Sequence, residues 1–257
     1  MCLETLIDKA STVLGARRLV RLPADRPVVF VGDTHGDRIA TEQVLERFDV
    51  ATHSMVFMGD VVDRGPDSLG NLKLLLSQLI AHPGAIHLLM GNHEAWRLAP
   101  FSPSDFWDSL SPDASDQLGT LLLRLPLAAW HPVGVLAVHG ALPDVRSLDD
   151  INGIELGSSA WRDTTWGDWH SPEEGSIPIP SRMRPSLDRS QFARRMAQIG
   201  ARILVRSHQP SSPTLLFDDR CLTLFTSCAY GDGVRRVALL HPDRPIETAR
   251  QLELIEL

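Results

Sequence analysis

Apolar residues at Leu3, Leu6, Ile7, Ala10 and Leu14 recur every three to four positions, which predicts a peripheral amphipathic helix over residues 3–14. The period then changes. Residues 27–31 form an almost unbroken β-branched and aromatic run that stops at Gly32, the pattern of a strand buried on both faces. A polar turn over 33–37 leads to a helix over 39–48, a second buried strand over 55–58, a helix over 69–80 and a third strand over 85–90. Strand, polar turn and helix repeat, so an α/β sheet with helices packed on its faces is expected, with functional groups at the carboxyl ends of the strands.

Further along, 100–116 mixes Ser, Pro and Asp with Phe101, Phe106 and Trp107, which predicts an ordered cap rather than a free linker. Residues 133–138 read as a strand ending at His139, and 167–186 as a long excursion containing Pro, Ser and Gly. A helix over 190–199 and a strand over 202–205 follow, the strand ending at Arg206, Ser207 and His208. The tail reads as strands over 215–217, 222–225 and 234–240. No internal repeat or low-complexity tract divides the chain, and one domain over 1–257 is expected, with a cap or loop insertion at 100–126.

Composition narrows the function classes. Of 257 residues, 25 are Lys or Arg and 32 are Asp or Glu, a net charge of −7, which argues against a partner held by its nucleic-acid backbone. Hydrophobic residues at 43% and charged residues at 22% exclude a disordered, collagen-like or coiled-coil chain. The apolar stretch 121–130 is broken by Arg124 and Pro126 and falls short of the roughly 20 residues of a spanning helix. Glu4 and Asp8 interrupt the apolar part of residues 1–18, unlike a signal peptide. Cys2, Cys221 and Cys228 form no CxxC pair, and Cys221 and Cys228 are expected as buried structural thiols. A soluble, cytoplasmic protein with no membrane partner is the expectation.

Polar residues then cluster where the strands end: Asp33 and His35, Asp60, Asn92 and His93, His139, and His208. Carboxylate, imidazole and amide oxygen together suit manganese, iron or zinc, whereas an all-oxygen set suits magnesium or calcium. Two divalent cations are expected, bridged by Asp60 and about 3.5 to 4 Å apart. Each residue alone has a plainer reading, as a turn, a helix cap or a hydrogen-bonded structural histidine; order and placement on successive strand ends favour the site. His53, His82, His87, His131, His170 and His241 fit no such pattern and read as surface or capping residues.

GDTHGD at 32–37, GDVVDRG at 59–65, GNHE at 91–94, HGA at 139–141 and RSHQ at 206–209 resemble, in order, the signature blocks of the metallophosphatase superfamily. Within it the match is to the phosphoprotein phosphatase family, the serine/threonine phosphatases, in a compact bacterial-type form. The resemblance implies a calcineurin-like metallophosphatase domain, a β-sandwich of two mixed sheets flanked by helices. It implies Asp33, His35 and Asp60 as ligands of one metal and Asp60, Asn92, His139 and His208 as ligands of the other, with a bridging water attacking phosphorus. It further implies His93 as the acid that protonates the leaving group, Asp63 as its hydrogen-bond partner and Arg64 as a phosphate clamp. A second arginine is expected from Arg182 or Arg184, Arg184 being favoured. TSCAYGDG at 226–233 resembles a divergent form of the segment that brings a tyrosine to the site, which makes Tyr230 a candidate phosphate contact, and Asp168 resembles an acidic rim position.

The implied activity is hydrolysis of phosphoserine or phosphothreonine in a protein or peptide. The competing readings are a dinucleoside polyphosphate hydrolase, which RGPDSL at 64–69 also suits, and a catalytically silent phosphoprotein-binding module. Asp63 beside Arg64, and Glu94 rather than aspartate after GNH, favour the protein phosphatase.

Overall fold

The computed structural model describes residues 2–179, 181–230 and 233–257. In chain order the elements are α1 (Leu3–Val13), β1 (Leu19–Arg21), β2 (Val28–Val31), α2 (Arg38–Arg47), β3 (Ser54–Phe57), α3 (Ser68–Ala81), β4 (Ile86–Leu88), α4 (Asp105–Asp108), α5 (Pro112–Leu122), β5 (Ala128–His131) and β6 (Val135–Val138). There follow α6 (Ser159–Trp166), β7 (Asp168–His170), β8 (Ser186–Asp188), α7 (Arg189–Ile199), β9 (Ile203–Arg206), β10 (Leu215–Leu216), β11 (Cys221–Thr223), β12 (Arg236–Leu240) and β13 (Glu253–Glu256).

Strands β13-β12-β2-β3-β4 form one mixed sheet and β1-β5-β6-β9-β11-β10 another, while β7 and β8 make a small separate pair. The continuous apolar strands follow from this layering. Val28 and Phe30 of β2 point, with Val56 of β3, towards Ala137 of β6 and Val205 of β9, filling the space between the sheets. Val29 and Val31, the alternate positions, pack with Met55 and Phe57 under Val44 of α2 and Leu72, Leu75 and Leu76 of α3. Each face of the strand is dry, so each needs an apolar side chain, and a fully buried Phe contributes about 1.5–3 kcal/mol.

Helix ends are set locally. Asp37, Asp67 and Ser158 accept hydrogen bonds from the first turns of α2, α3 and α6. Asp188 and Gln191 form a reciprocal capping box at α7, which ends at Gly200 in the left-handed region. Expected and observed elements agree to within a few residues for α1–α3, β2–β4, β6, α7 and β9. The excursion at 167–186 is more ordered than expected, because it contains β7 and ends at the start of β8, and β1, β5, α6 and β13 had no clear signal. Strand β5 reads AAWH, with weak intrinsic β preference, and its place is fixed by pairing with β1 and β6. Among the described residues no helix is long and apolar enough to cross a membrane.

The topology places one edge of the sandwich in charge of the chemistry. Strands β2, β3 and β4 run parallel in register Val31↔Phe57↔Leu88, and β6 and β9 run parallel in register Ala137↔Val205. Their carboxyl ends therefore emerge together. The backbone of Asp33 bridges to Phe225, next to β11, and Gly32 N–H donates to Thr226 Oγ1 at 2.9 Å, tying the two sheets at that edge. Replacing Phe30 by alanine should destabilise the fold by about 3–5 kcal/mol in equilibrium urea denaturation; a loss under about 1 kcal/mol would contradict its packing between the sheets.

Candidate metal centre

The turns beyond these strands hold unusual backbone. His35 (φ 45°), Asp60 (φ 51°), Asp63 (φ 66°), Arg64 (φ 74°) and His208 (φ 70°) all lie in the left-handed region that side-chain-bearing residues avoid. Such strain persists only where neighbours over-determine it. Here Glu94, wholly buried, accepts the amides of Asp60 (2.7 Å), Val61 (2.8 Å) and Gly91 (2.9 Å) on its two carboxylate oxygens. The amides of His35 and Gly36 bond the carbonyls of Asp60 and Val61, and Asn71 Nδ2 donates to the Val61 carbonyl at 2.8 Å. Gly59 has to lack a side chain, since a Cβ there would strike the Gly91 amide. Glu94 entered the sequence reading only as a mark of subgroup; its adjacency to His93 in GNHE was the available signal.

Two donor groups meet at Asp60. One comprises His35, Asp60 and His93, the other Asp60, His139 and His208, and within each the donor atoms lie within 4.8 Å of one another. His139 Nδ1 donates to the Met58 carbonyl at 2.9 Å, so in the neutral ring Nε2 presents a lone pair. That lone pair faces Asn92 Oδ1 (3.2 Å), His208 Nδ1 (3.1 Å) and Asp60 Oδ2 (3.3 Å). His35 likewise places Nδ1 3.0 Å from the Val62 carbonyl and turns Nε2 towards Asp33 Oδ2 (3.6 Å) and Asp60 Oδ2 (3.8 Å). His93 Nε2 is also 3.8 Å from Asp60 Oδ2. The structure thus brings together all six residues expected as ligands, and adds His93 to the first group.

The electrostatics fit a cation. Burial would lower the pKa of His139, but the Asp60 and Asp33 carboxylates overturn that and push it up to about 9. Burial would raise Asp60, yet His139 and His93 hold it well below the usual carboxylate range. Burial and the Arg184 charge keep His208 well below the ordinary imidazole value, as a neutral donor. Among the described residues, buried Asp33 Oδ1 has no hydrogen-bond partner. Convergent lone pairs, buried carboxylates and an orphaned carboxylate oxygen are what divalent cations would satisfy.

A cleft of about 300 Å³ opens onto these donors, with Arg64, Arg184 and Tyr230 among its walls beside Phe101, Trp166 and Ile179. A larger groove of about 810 Å³ lies by α1, β1 and β4 and contains none of the clustered donors, so chemistry and not volume selects the smaller one. His93 Nδ1 is 2.6 Å from Asp63 Oδ2, and Asp63 Oδ1 accepts the Phe106 amide at 2.7 Å. Arg64 is 25% exposed and rests Nη1 on the Pro103 carbonyl at 3.0 Å, so residues 101–103 border the cleft. Arg184 grips Asp168 with Nε and Nη2 at 2.8 and 2.7 Å, whereas Arg182 is exposed and does not line the cleft. Tyr230 stands with its ring 5.1 Å from His35; burial raises its hydroxyl pKa while a hydrogen bond with Arg64 opposes the rise. Within TSCAYGDG, Gly231 and Asp232 lie outside the described residues.

Four expectations need correction. Asp168 is wholly buried under Arg184 rather than on the rim. Cys228 is exposed, near the Asp37 carboxylate, because its segment turns outward instead of continuing a strand. His131 is buried at the end of β5, and His87 is half-buried in β4 with its Nε2 covered, where desolvation lowers its pKa to about 4.

Comparison with known proteins bears on the family and the fold. Over 157 residues the chain is 34% identical to the serine/threonine-protein phosphatase 6 catalytic subunit of Caenorhabditis elegans, covering 57% of this chain and 44% of that protein. Over 220 residues it is 29% identical to a protein of Encephalitozoon cuniculi named "Probable serine/threonine-protein phosphatase", covering 80% of this chain and 48% of that one. The chain spans about half the length of the curated relatives it matches. A protein serine/threonine phosphatase structure from Saccharomyces cerevisiae superposes with a TM-score of 0.81 over 98% of this chain and 88% of that one at 22% identity, which shows a shared fold. The calcineurin-like phosphoesterase family matches residues 26–212, a span holding every candidate site residue except Tyr230, and the chain belongs to that family.

Proposed function

We propose that the cleft is a two-metal phosphomonoesterase site acting on phosphoserine or phosphothreonine in proteins or peptides. The observation that carries the reading is Asp60 shared between two donor groups beside Arg64 and Arg184. The names of the relatives in Caenorhabditis elegans and Encephalitozoon cuniculi support the substrate class. In this reading one domain spans 1–257, with 100–126 as a cap, and the three free thiols suit a reducing compartment such as the cytoplasm.

Asp33, His35 and Asp60 would hold one cation, and Asp60, Asn92, His139 and His208 the other, manganese being the proposed metal and iron or zinc compatible with the same donors. When bound, the pair supplies Lewis-acid chemistry, offsetting phosphate charge and lowering the pKa of water at the centre. The chain's own groups do the rest. Arg64 and Arg184 face the phosphoryl oxygens, where a planar fork of donors holds the group in line. Water adds to phosphorus and gives up one proton to solvent, which later restores the proton on His93, as the phosphorus–oxygen bond to the serine or threonine side chain breaks. His93 delivers a proton from Nε2 to the departing oxygen, while Asp63 accepts from Nδ1 and fixes the ring. Tyr230 would add a hydroxyl contact to phosphate.

With added manganese the protein should hydrolyse p-nitrophenyl phosphate far faster than Asp60→Asn; equal rates would favour the silent phosphoprotein-binding module. Removing the proposed acid in His93→Asn should cost about 10²–10⁴-fold in kcat with both metals retained. Metal analysis showing an empty position in that variant would reassign His93 as a ligand. Side-by-side assays should show turnover of a phosphoserine peptide in preference to diadenosine tetraphosphate, and turnover of the nucleotide alone would overturn the substrate class.

A further inference from the structure

Gln209 has no chemical role in the reading above, yet its carboxamide is wholly buried and both ends are engaged. Oε1 accepts the Trp169 amide at 3.1 Å and Arg206 Nη2 at 2.7 Å. Nε2 donates to the Trp169 carbonyl and to Ser176 Oγ, each at 3.3 Å. One side chain therefore bonds both the N–H and the C=O of the same residue, as a neighbouring strand would, the carbonyl also accepting Ser176 Oγ at 2.8 Å. It does so on the edge of β7 opposite β8, because the Asp168 amide turns the other way, to the Pro185 carbonyl.

Arg206 decides which way round that amide sits. A guanidinium only donates, so it selects Oε1 and leaves Nε2 for the Trp169 carbonyl. Arg206 is itself wholly buried, held at Nε by Thr223 Oγ1 at 3.2 Å. Desolvating a cation to orient one amide is costly, and an ordinary loop contact does not require it.

What the amide holds still is next to the cleft. Asp168 precedes Trp169 and carries Arg184 on its two carboxylate oxygens. Asp168 Oδ1 also lies 3.6 Å from His208 Nε2, and Arg184 Nη2 reaches the His208 carbonyl at 3.4 Å. Gln209 follows His208 directly. We infer that Gln209, oriented by Arg206, is a positioning residue that locks β7 to the His208 turn, so that Asp168 presents Arg184 to the phosphoryl group. The inference rests on the phosphate-binding role of Arg184 proposed above.

The test uses the manganese-loaded full chain, inorganic phosphate as the probe and four proteins: unaltered, Arg184→Ala, Gln209→Met, and the double variant. Met keeps the length of the side chain and removes the amide. Each single variant should weaken phosphate binding, measured calorimetrically, on the order of ten-fold. The double variant should be no weaker than Arg184→Ala, since Gln209 acts through Arg184. Metal content should be unchanged, and hydrogen exchange at the Trp169 amide should be faster in Gln209→Met.

A folded Gln209→Met with unchanged phosphate affinity overturns the inference, as do losses that simply add in the double variant. If Arg184→Ala leaves phosphate affinity unchanged, the reading of Arg184 falls and the inference with it. If Arg184→Ala weakens binding and Gln209→Met does not, the coupling alone falls. Should Gln209→Met not fold, Gln209→Asn, which keeps an amide too short to span both Trp169 groups, is put through the same cycle with the same criteria.

Discussion

The cleft depends on one carboxylate being held where two groups of lone pairs can share it. Asp60 does not sit there comfortably: its backbone is left-handed, it is buried, and another buried carboxylate, Glu94, lies directly against its amide. Residues in such conformations cost about 1–3 kcal/mol each. The three amides that Glu94 accepts contribute about 0.5–1.5 kcal/mol each, and they act on the residues that carry or adjoin the strain. Glu94 therefore offsets the strain where it arises, and it fixes the Asp60 turn against the Gly91 turn. Burial and the Asp60 charge push its own carboxyl up to about 7.

The sandwich makes that arrangement rigid. Its central strands β2 and β3 are dry on both faces, with Phe30 and Val56 between the sheets and Val29 and Phe57 under the helices. A strand buried on both faces cannot slip by one residue without repacking every side chain against the opposite layer and drawing the polar residues beyond its end into the dry interior. Fixed register at β2, β3, β4, β6 and β9 becomes fixed placement of the residues just beyond them. The strained turns are short extensions of a stiff frame, which is why side chains far apart in the chain meet within a few ångströms.

The cleft divides into a charged floor and largely apolar walls. Phe101 stacks edge-on against His93 at 4.6 Å between ring centres, and Trp166 meets Phe101 at 5.4 Å. These rings keep water from one side of the His93–Asp63 pair and lower the local dielectric, which strengthens each charge–charge contact inside. Beside Trp166, Asp168, Arg184 and His208 form a chain of contacts, so Arg184 and the clustered donors share a single scaffold.

Much of this was legible along the chain, for definite reasons. Unbroken apolar runs identified the central strands because a doubly buried strand must be apolar at every position, and polar turns at their ends marked Asp33, His35, Asp60, Asn92, His93, His139 and His208. Short elements such as β5 and β7 were not legible, since their strand character comes from partners distant in sequence. Nor was the difference between Arg182 and Arg184: both are arginines in one loop, and only the buried carboxylate of Asp168 selects the second. The same holds for Glu94 and Gln209, whose hydrogen bonds reach across the molecule. The chain alone determined which side chains could bind cations and phosphate, because donor chemistry belongs to the residue. The tertiary structure decided which of them converge, which are desolvated and which way each faces, because direction and dielectric are properties of the packed molecule.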